Sequence, residues 1–189
     1  MLFDDKLSDI IKTLESDGVL LHPTDTVWGL GCSAMSEKGI NKIYDIKQRK
    51  KSQPLLMLVD SIKMLKKYVP HIHPRIETLL IFHNKPLTVV YPDVQRLPEF
   101  ALASDKSAAI RVIYDPYCAR IVSLLGCPLM STSANISGEP TPTYLENVAD
   151  RIIQGVDFVA RHKQNVELSG SASVMISYDA EGELNFLRR

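Results

Sequence analysis

The sequence feature that most constrains the fold is an uninterrupted apolar run, PLLMLV, at residues 54–59. A strand without polar alternation is typical of a sheet that is covered on both faces, and helices normally supply that cover. An amphipathic helix is indeed predicted over residues 4–17, where Leu7, Ile10 and Leu14 follow helical spacing before Gly18. Together these patterns predict an α/β fold.

Short apolar and β-branched segments predict further strands at residues 19–22, 87–91, 108–113, 128–131, 156–160, 172–177 and 183–187. Cap and proline signals predict helices that begin after Ser36, after Asp60 or Ser61, near Pro74, at Asp115-Pro116 (to Gly126) and at the capping box Thr143-x-x-Glu146 (to about Gln154). The last strands follow one another without intervening helices, so a mixed sheet is expected. No repeat or linker is apparent, and we expect one domain over residues 1–189.

The composition is that of a globular protein. Of the 189 residues 45% are hydrophobic and 23% charged, which excludes disorder as the main state. No apolar run approaches the roughly 20 residues of a membrane span, and the acidic segment MLFDDKLSDI lacks the basic region of a secretory signal. Cys32, Cys118 and Cys127 form no CxxC pair, so no disulfide framework or cysteine zinc site is expected. We expect a cytoplasmic protein with no membrane association.

The charges balance in total, with 22 basic and 22 acidic side chains, but they are unevenly distributed. Residues 38–67 contain nine basic side chains and two acidic ones, a net charge of +7. A basic segment on a neutral protein is compatible with a local anion site. It is equally compatible with a solvated helix face, and charge alone does not choose between the two.

Three polar segments are candidates for a functional site, and the first is PTDTVWGLG at residues 23–31. Its hydroxyls can bond a polar ligand and its glycines allow close backbone approach. The segment matches neither the phosphate-loop spacing nor the dinucleotide-binding glycine pattern. From the residues alone a structural turn is favoured, and Trp28 is expected in the core.

The other two segments carry potential anion ligands. KQRKKSQP at residues 47–54 is predicted at a helix C-terminus, where its cations would suit a triphosphate or simply complement the helix dipole. STSANISG at residues 131–138 follows a predicted strand and offers hydroxyls, an amide and backbone N–H groups to an anion. Arg111 lies among apolar residues in SAAIRVI, so it must find an ion-pair partner or face a cavity.

Other chemistries have little support in the sequence. It contains no GxSxG motif and no HExxH zinc motif, and STSAN does not match SxxK. His71 and His73 lie beside two prolines, so a surface turn is favoured over a pair of metal ligands. Cys118 falls in a helical pattern and is expected to be packed.

In their order along the chain, five segments resemble the YrdC family of threonylcarbamoyl-AMP synthases. They are PTDTVWGLG (23–31), KQR with QPLLMLV (47–49 and 53–59), PLTVVYP (86–92), AAIRV (108–112) and STSANISGEPTPT (131–143). The resemblance covers nearly the whole chain. It implies an α/β fold with a twisted mixed β-sheet, flanking helices and a concave basic cavity. It also implies a nucleotidyltransferase that converts ATP, L-threonine and bicarbonate to threonylcarbamoyl-AMP and pyrophosphate, for threonylcarbamoyl-adenosine in tRNA.

The resemblance also implies roles for individual residues. Thr26, Arg111 and Ser131 would bind threonine, and Lys47 and Arg49 would be the catalytic pair on the ATP phosphates. The further nucleotide contacts that it implies are Gln53, Ser107, Ser133, Asn135, Thr141 and Ser173 (or Ser171).

Further partners follow from the same resemblance. No acidic metal cage is apparent, so Mg²⁺ is expected to arrive with ATP. The product would pass to enzymes that transfer the threonylcarbamoyl group to tRNA, and weak RNA binding is compatible with this role. The alternative is a YrdC-like module that binds tRNA or double-stranded RNA without synthase activity.

Overall fold

The computed structural model describes residues 3–83 and 85–188. Its strands are β1 (Leu20–Pro23), β2 (Trp28–Ser33), β3 (Leu56–Val59), β4 (Leu87–Tyr91), β5 (Ala108–Val112), β6 (Leu129–Ser133), β7 (Phe158–Val159), β8 (Val174–Tyr178) and β9 (Leu184–Arg188). Its α-helices are α1 (Leu7–Glu15), α2 (Glu37–Lys47), α3 (Ile62–Tyr68), α4 (Pro74–Phe82), α5 (Pro116–Leu125) and α6 (Asp150–Gly155). Two short 3₁₀ helices lie at Glu99–Ala101 and Leu145–Asn147.

The strands form one sheet in the order β7-β1-β2-β6-β3-β5-β4-β8-β9. The pairs β1–β7, β3–β5 and β4–β8 are parallel, and the other neighbouring pairs are antiparallel. Parallel neighbours need crossover connections, and the helices of the chain supply them. The predicted mixed α/β architecture is thus confirmed.

Local sequence signals account for where three of the helices begin. The side chains of Ser36, Ser61 and Asp115 accept hydrogen bonds from the main-chain N–H groups of Gly39, Met64 and Cys118, respectively, at 2.9, 3.1 and 3.0 Å. Each bond satisfies an N–H group that has no partner within its helix. Ser61, rather than Asp60, therefore caps α3.

The apolar run at residues 54–59 forms the centre of the sheet. Within it β3 lies between β6 and β5, and Met57, Leu58 and Val59 are buried as predicted. The register places Leu56 opposite Ser131 on β6 and Leu58 opposite Arg111 on β5. One short strand therefore brings together two candidate residues that lie 20 positions apart in the sequence.

The prediction of a turn over the whole of residues 23–31 is wrong, because strand β2 begins at Trp28. The glycines in it serve close packing. A Cβ atom on Gly31 would lie 3.0 Å from Nε2 of His22, and one on Gly29 would lie 3.2 Å from the main-chain oxygen of Thr132. Glycine inside a strand marks such close approach. Trp28 is fully buried in the core, as expected.

The helix predicted from Thr143 to about Gln154 begins too early: its second part forms α6, and only a short 3₁₀ helix lies before it at Leu145–Asn147. The main-chain oxygen of Thr143 accepts a hydrogen bond from N of Leu168 at 3.0 Å, so this residue is tied to a distant segment. The helix α6 begins only after Ala149, whose oxygen accepts from N of Ile152 at 2.8 Å. A long-range backbone bond has overridden a local capping signal. The strand expected at residues 156–160 shortens to the two residues of β7.

Candidate functional site

A cavity of about 720 Å³ collects residues from most of the polar segments described above. Its walls come from the turn after β1, the segment after α2, strands β5 and β6, the stretch before β8 and the end of β9. Nine of the eleven predicted site residues line it: Thr26, Arg49, Gln53, Ser107, Arg111, Ser131, Ser133, Thr141 and Ser173. Lys47 and Asn135 lie behind this lining, and Ser171 is not part of it.

One end of the cavity contains the three residues predicted to bind threonine. Thr26 is buried, and its Oγ1 lies 2.9 Å from Oγ1 of Thr24 within the turn. Ser131 pairs across the sheet with Gly31, and Gly29 leaves room beside its hydroxyl. Arg111 is 4% exposed, and its Nη2 donates to a carboxylate oxygen of Asp25. Arg111 therefore has both of the features that its sequence context allowed, an ion-pair partner and a cavity.

Lys47 holds the SAN segment from behind rather than facing the cavity. Its Nζ donates to the main-chain oxygens of Ser133 and Asn135 at 2.5 and 2.6 Å. Burial, together with the nearby charge of Arg49, lowers the pKa of Lys47 to about 8. Ser133 Oγ in turn donates to Oδ1 of Asn135 at 2.5 Å. The lysine thus fixes the main chain that carries the Ser133 hydroxyl into the cavity.

Arg49 lines the cavity from the segment that follows α2. The helix ends at Gln48, which adopts a left-handed conformation with φ 52°. This reversal turns the chain, and the Arg49 guanidinium then donates to the main-chain oxygens of Gln53 and Pro54 at 3.0 and 3.1 Å. Both partners are neutral carbonyl groups, and no carboxylate of residues 3–83 or 85–188 forms a salt bridge with Arg49, so its charge can attract an anion.

Arg188, at the end of β9, is a cavity residue that sequence reasoning missed. Its Nε and Nη2 donate to the main-chain oxygen and to Oγ of Ser173, both at 3.0 Å. Ser173 Oγ also lies 2.8 Å from Oγ1 of Thr88. Burial and the charge of Arg111 lower the pKa of Arg188. No local signal could have identified it, because pairing of β9 with β8 is what brings it to the site.

Three cationic side chains lie in the lining of the cavity, and one of them, Arg111, is paired with Asp25. Arg49, Arg111 and Arg188 line it, and its described lining residues include no carboxylate. Only the first of these arginines belongs to the +7 segment at residues 38–67. Several other cations of that segment form ion pairs elsewhere, including Lys42 with Asp157 at 2.6 Å and Lys66 with Glu77 at 2.5 Å. The segment is therefore not one anion site, and long-range packing assembles the positive charge of the cavity.

His71, His73 and Cys118, for which the sequence predicted no functional role, lie outside this site. His73 Nδ1 accepts from N of Arg75 at the start of α4, and His71 is exposed. Cys118 is fully buried, as expected, and its Sγ donates to the main-chain oxygen of Pro23 at 3.0 Å. Over residues 3–83 and 85–188 no group of His, Cys, Asp or Glu side chains is arranged to hold a metal ion. Among the same residues no helix is long and apolar enough to cross a membrane.

The sequence of the chain is similar to one protein family and to several curated proteins of that family. The family described as "Sua5_yciO_yrdC: Telomere recombination" matches residues 12–189. A threonylcarbamoyl-AMP synthase of Yersinia enterocolitica is 34% identical over 145 residues, which are 75% of this chain and 76% of that protein. Another, of Xanthomonas euvesicatoria, is 31% identical over 137 residues, which are 71% and 73% of the two proteins.

Solved structures give the same picture of the fold. P. abyssi Sua5 complexed with L-threonine matches with a TM-score of 0.84 and 26% identity, over 96% of this chain and 53% of that one. The chain thus spans about half the length of that Sua5. E. coli YciO matches with a TM-score of 0.81 and 21% identity, over 96% of this chain and 87% of that one. The twisted mixed sheet with its helices is therefore an architecture that this chain shares with both.

Proposed function

Because the chain belongs to the Sua5/YciO/YrdC family, we propose that it is a threonylcarbamoyl-AMP synthase. Such an enzyme converts ATP, L-threonine and bicarbonate to threonylcarbamoyl-AMP and pyrophosphate. The product would supply the threonylcarbamoyl group of adenosine in tRNA. One observation carries the proposal: the cavity of about 720 Å³ gathers nine residues that the sequence resemblance had already assigned to these substrates.

Threonine would bind at the Arg111 end of the cavity. A guanidinium group suits a carboxylate because it presents several donors in a fixed plane. Arg111 is held in the central part of the sheet, and the hydroxyls of Thr26 and Ser131 supply neutral hydrogen-bonding groups near it. An amino acid fixed by its carboxylate would project its amine and side chain into the cavity.

The triphosphate would lie toward Arg49 and the SAN segment. Arg49 brings a charge whose hydrogen-bond partners among the described residues are carbonyl groups, and Ser133 and Thr141 bring hydroxyls to the lining of the same cavity. We assign Arg188 to the nucleotide as well, since its guanidinium lines the cavity beside Ser173. Lys47 would act on the phosphates by holding Ser133 and Asn135 in place; direct contact would require its Nζ to leave their oxygens.

The reaction would proceed mainly through positioning and charge stabilisation. The threonine ammonium group first loses a proton to solvent. The amine nitrogen then forms a bond to the carbon of bicarbonate, a C–O bond of bicarbonate breaks, and its hydroxyl leaves as water with a proton from the amine, which gives a carbamate. A carbamate oxygen then attacks the α-phosphorus of ATP, the bond to the bridging oxygen breaks, and pyrophosphate leaves with that electron pair. Holding the reactants together and stabilising the developing charge account for most of such catalysis. Arg49, and Lys47 through the segment it holds, would stabilise the leaving pyrophosphate.

The proposal also covers the metal ion, the cellular compartment and the partners of the protein. The described lining residues offer no carboxylate for Mg²⁺, so we propose that the metal enters on ATP and is held by its phosphates and water. We propose a cytoplasmic protein that works as one domain and hands its product to tRNA threonylcarbamoyl-transfer enzymes. The free state of Cys32, Cys118 and Cys127 supports a reducing compartment.

Pyrophosphate release provides the direct test. The chain is incubated with ATP, Mg²⁺ and bicarbonate, with and without L-threonine, and release that depends on threonine is expected. Glu77→Gln, which removes one partner of an exposed ion pair on α4, should react like the wild type. No threonine-dependent release from folded protein would refute the proposal. If the chain instead retained tRNA with a steep salt dependence and no effect of threonine, RNA binding would be its function.

A further inference from the structure

Tyr44, in the last turn of α2, contacts both ends of the segment that carries Arg49. Its main-chain oxygen accepts a hydrogen bond from N of Arg49 at 3.0 Å, where the helix ends. Its side-chain hydroxyl donates to the main-chain oxygen of Gln53 at 3.2 Å. Tyr44 is buried, whereas residues 50–54 are exposed. One buried residue therefore closes an exposed loop that contributes to the lining of the cavity.

A second cavity lies behind this loop. It has a volume of about 480 Å³, and one face of α2, including Tyr44, lines it together with residues 100–104. Ser52, Pro54 and Leu55 line both this cavity and the first one. The loop is therefore a wall between two cavities and not part of a close-packed core, so packing contributes little to its rigidity. Its hydrogen bonds have a correspondingly larger share in fixing its conformation.

The main-chain oxygen of Gln53 accepts from two donors. Besides Tyr44, Nε of Arg49 donates to it at 3.0 Å, and Nη2 of Arg49 donates to the oxygen of Pro54 at 3.1 Å. A carbonyl oxygen has two lone pairs, so it can accept both bonds at once. The two bonds of Arg49 occupy the Nε–Nη2 edge of its guanidinium group. The Nη1–Nη2 edge keeps its donors for a ligand, and such an edge suits two oxygens of one phosphate group.

The phenol of Tyr44 is a persistent donor. Burial raises the pKa of Tyr44, and the nearby charge of Arg49 only partly offsets this effect. The hydroxyl therefore keeps its proton at neutral pH. If Arg49 gave up its bond to the Gln53 oxygen in order to follow a phosphate group, Tyr44 would still hold that oxygen in place.

We propose that the Tyr44 hydroxyl positions Arg49 for the triphosphate by fixing the carbonyl group of Gln53. This inference rests on the proposed function and adds a residue to the nucleotide site. The described lining of the first cavity does not include Tyr44, so its role is positioning and not direct contact. Without the hydroxyl the loop would sample more conformations. ATP would then have to order both the loop and the guanidinium group on binding, which weakens affinity.

Tyr44→Phe provides the test, because phenylalanine keeps the ring and removes only the hydroxyl. In calorimetry the variant should bind ATP with Mg²⁺ roughly 3- to 10-fold more weakly than the wild type, the range expected for the loss of one neutral hydrogen bond. Binding of L-threonine should change by less than about 2-fold, because its proposed ligands Thr26, Arg111 and Ser131 are held by other elements.

Tyr114→Phe is a matched control. The Tyr114 hydroxyl also donates to a main-chain oxygen, that of Leu80 at 3.0 Å, and neither residue belongs to the described lining of the first cavity. This variant should bind ATP and L-threonine like the wild type. Thermal unfolding verifies that each variant is folded.

A double-mutant cycle separates positioning from a general effect on the fold. In an Arg49→Met background, Tyr44→Phe should weaken ATP binding by less than about 1.5-fold, because the guanidinium group that the hydroxyl orients is absent. A hydroxyl that only stabilises the fold would have the same effect in both backgrounds.

Three results would each overturn the inference. They are wild-type affinity of Tyr44→Phe for ATP, equal losses of ATP and L-threonine binding in that variant, and an undiminished effect in the Arg49→Met background. If the wild type releases pyrophosphate in a threonine-dependent manner while these binding results fail, only this inference is lost. If the wild type binds no ATP, the proposed function fails with it.

Discussion

Replacing Lys47 with methionine should remove a pH-dependent cost of folding. Lys47 is 1% exposed, and its Nζ lies against main-chain oxygens of Ser133 and Asn135. Burial and the charge of Arg49 lower its pKa from 10.5 to about 8. Methionine keeps a side chain of similar length, fills the same space and has no group that titrates.

The sign and size of the effect follow from the two pKa values. Between about pH 8 and about pH 10.5 the unfolded chain holds a proton on Lys47 that the folded protein has lost, so stability rises with pH across this window. The full difference corresponds to about 3.4 kcal/mol. About 2.5 kcal/mol of it should be recovered between about pH 7 and about pH 10. The Lys47→Met protein should recover none of it.

Urea unfolding of both proteins across that pH range measures the effect. The free energy of unfolding of the wild type minus that of Lys47→Met should rise by about 2.5 kcal/mol, a change in the difference of midpoints of roughly 1 M urea. Tyrosines, cysteines and the other lysines titrate in both proteins, so their contributions cancel. A difference that stays constant with pH would refute the view that Lys47 is held as a buried, desolvated cation.

Binding measurements on two cavity arginines should separate the ends of the site. Arg111→Ala should weaken L-threonine binding by roughly 100-fold and ATP binding by less than about 3-fold in calorimetry, because the buried cation serves the amino acid. Equal losses of both would contradict that assignment. Arg188→Gln should raise the KM for ATP by roughly 10-fold in the pyrophosphate assay, because the phosphates lose a charged hydrogen-bond donor. Arg75→Gln, which loses an exposed ion pair with Glu183 and a long hydrogen bond to the main-chain oxygen of Gly182, should leave the KM for ATP unchanged. A raised KM for threonine alone in Arg188→Gln would place that arginine at the other end.

Elements with strong local signals could be predicted from the sequence. The apolar run of β3, the apolar spacing of α1 and the caps at Ser36 and Asp115 each reflect interactions within a few residues, so they survive in the folded chain. The secondary-structure predictions were wrong where residues distant in the sequence contact the segment. Strand β2 contains glycines against which neighbouring strands and side chains pack closely. Thr143 does not begin a helix, and its main-chain oxygen instead accepts a hydrogen bond from N of Leu168.

The site shows the same division between local and long-range information. The family resemblance identified nine residues that line the cavity. It could do so because the segments that carry their hydroxyl and amide groups occur in the family's order along the sequence. It could not indicate that Lys47 turns its charge onto main-chain oxygens, or that Arg188 completes the lining. Charge counting could not choose between an anion site and a solvated face, and in the structure several cations of residues 38–67 form ion pairs elsewhere.

Periodicity and residue type, which are local, predict the α/β class and the central apolar strand, and the family resemblance supplies most of the candidate site residues. The contacts of Asp25 with Arg111 and of Arg188 with Ser173 arise only once the chain has folded. Each of these contacts joins residues that lie far apart or on different elements, so it exists only after the strands have paired. Strand order and register therefore decide which of the available charges act together.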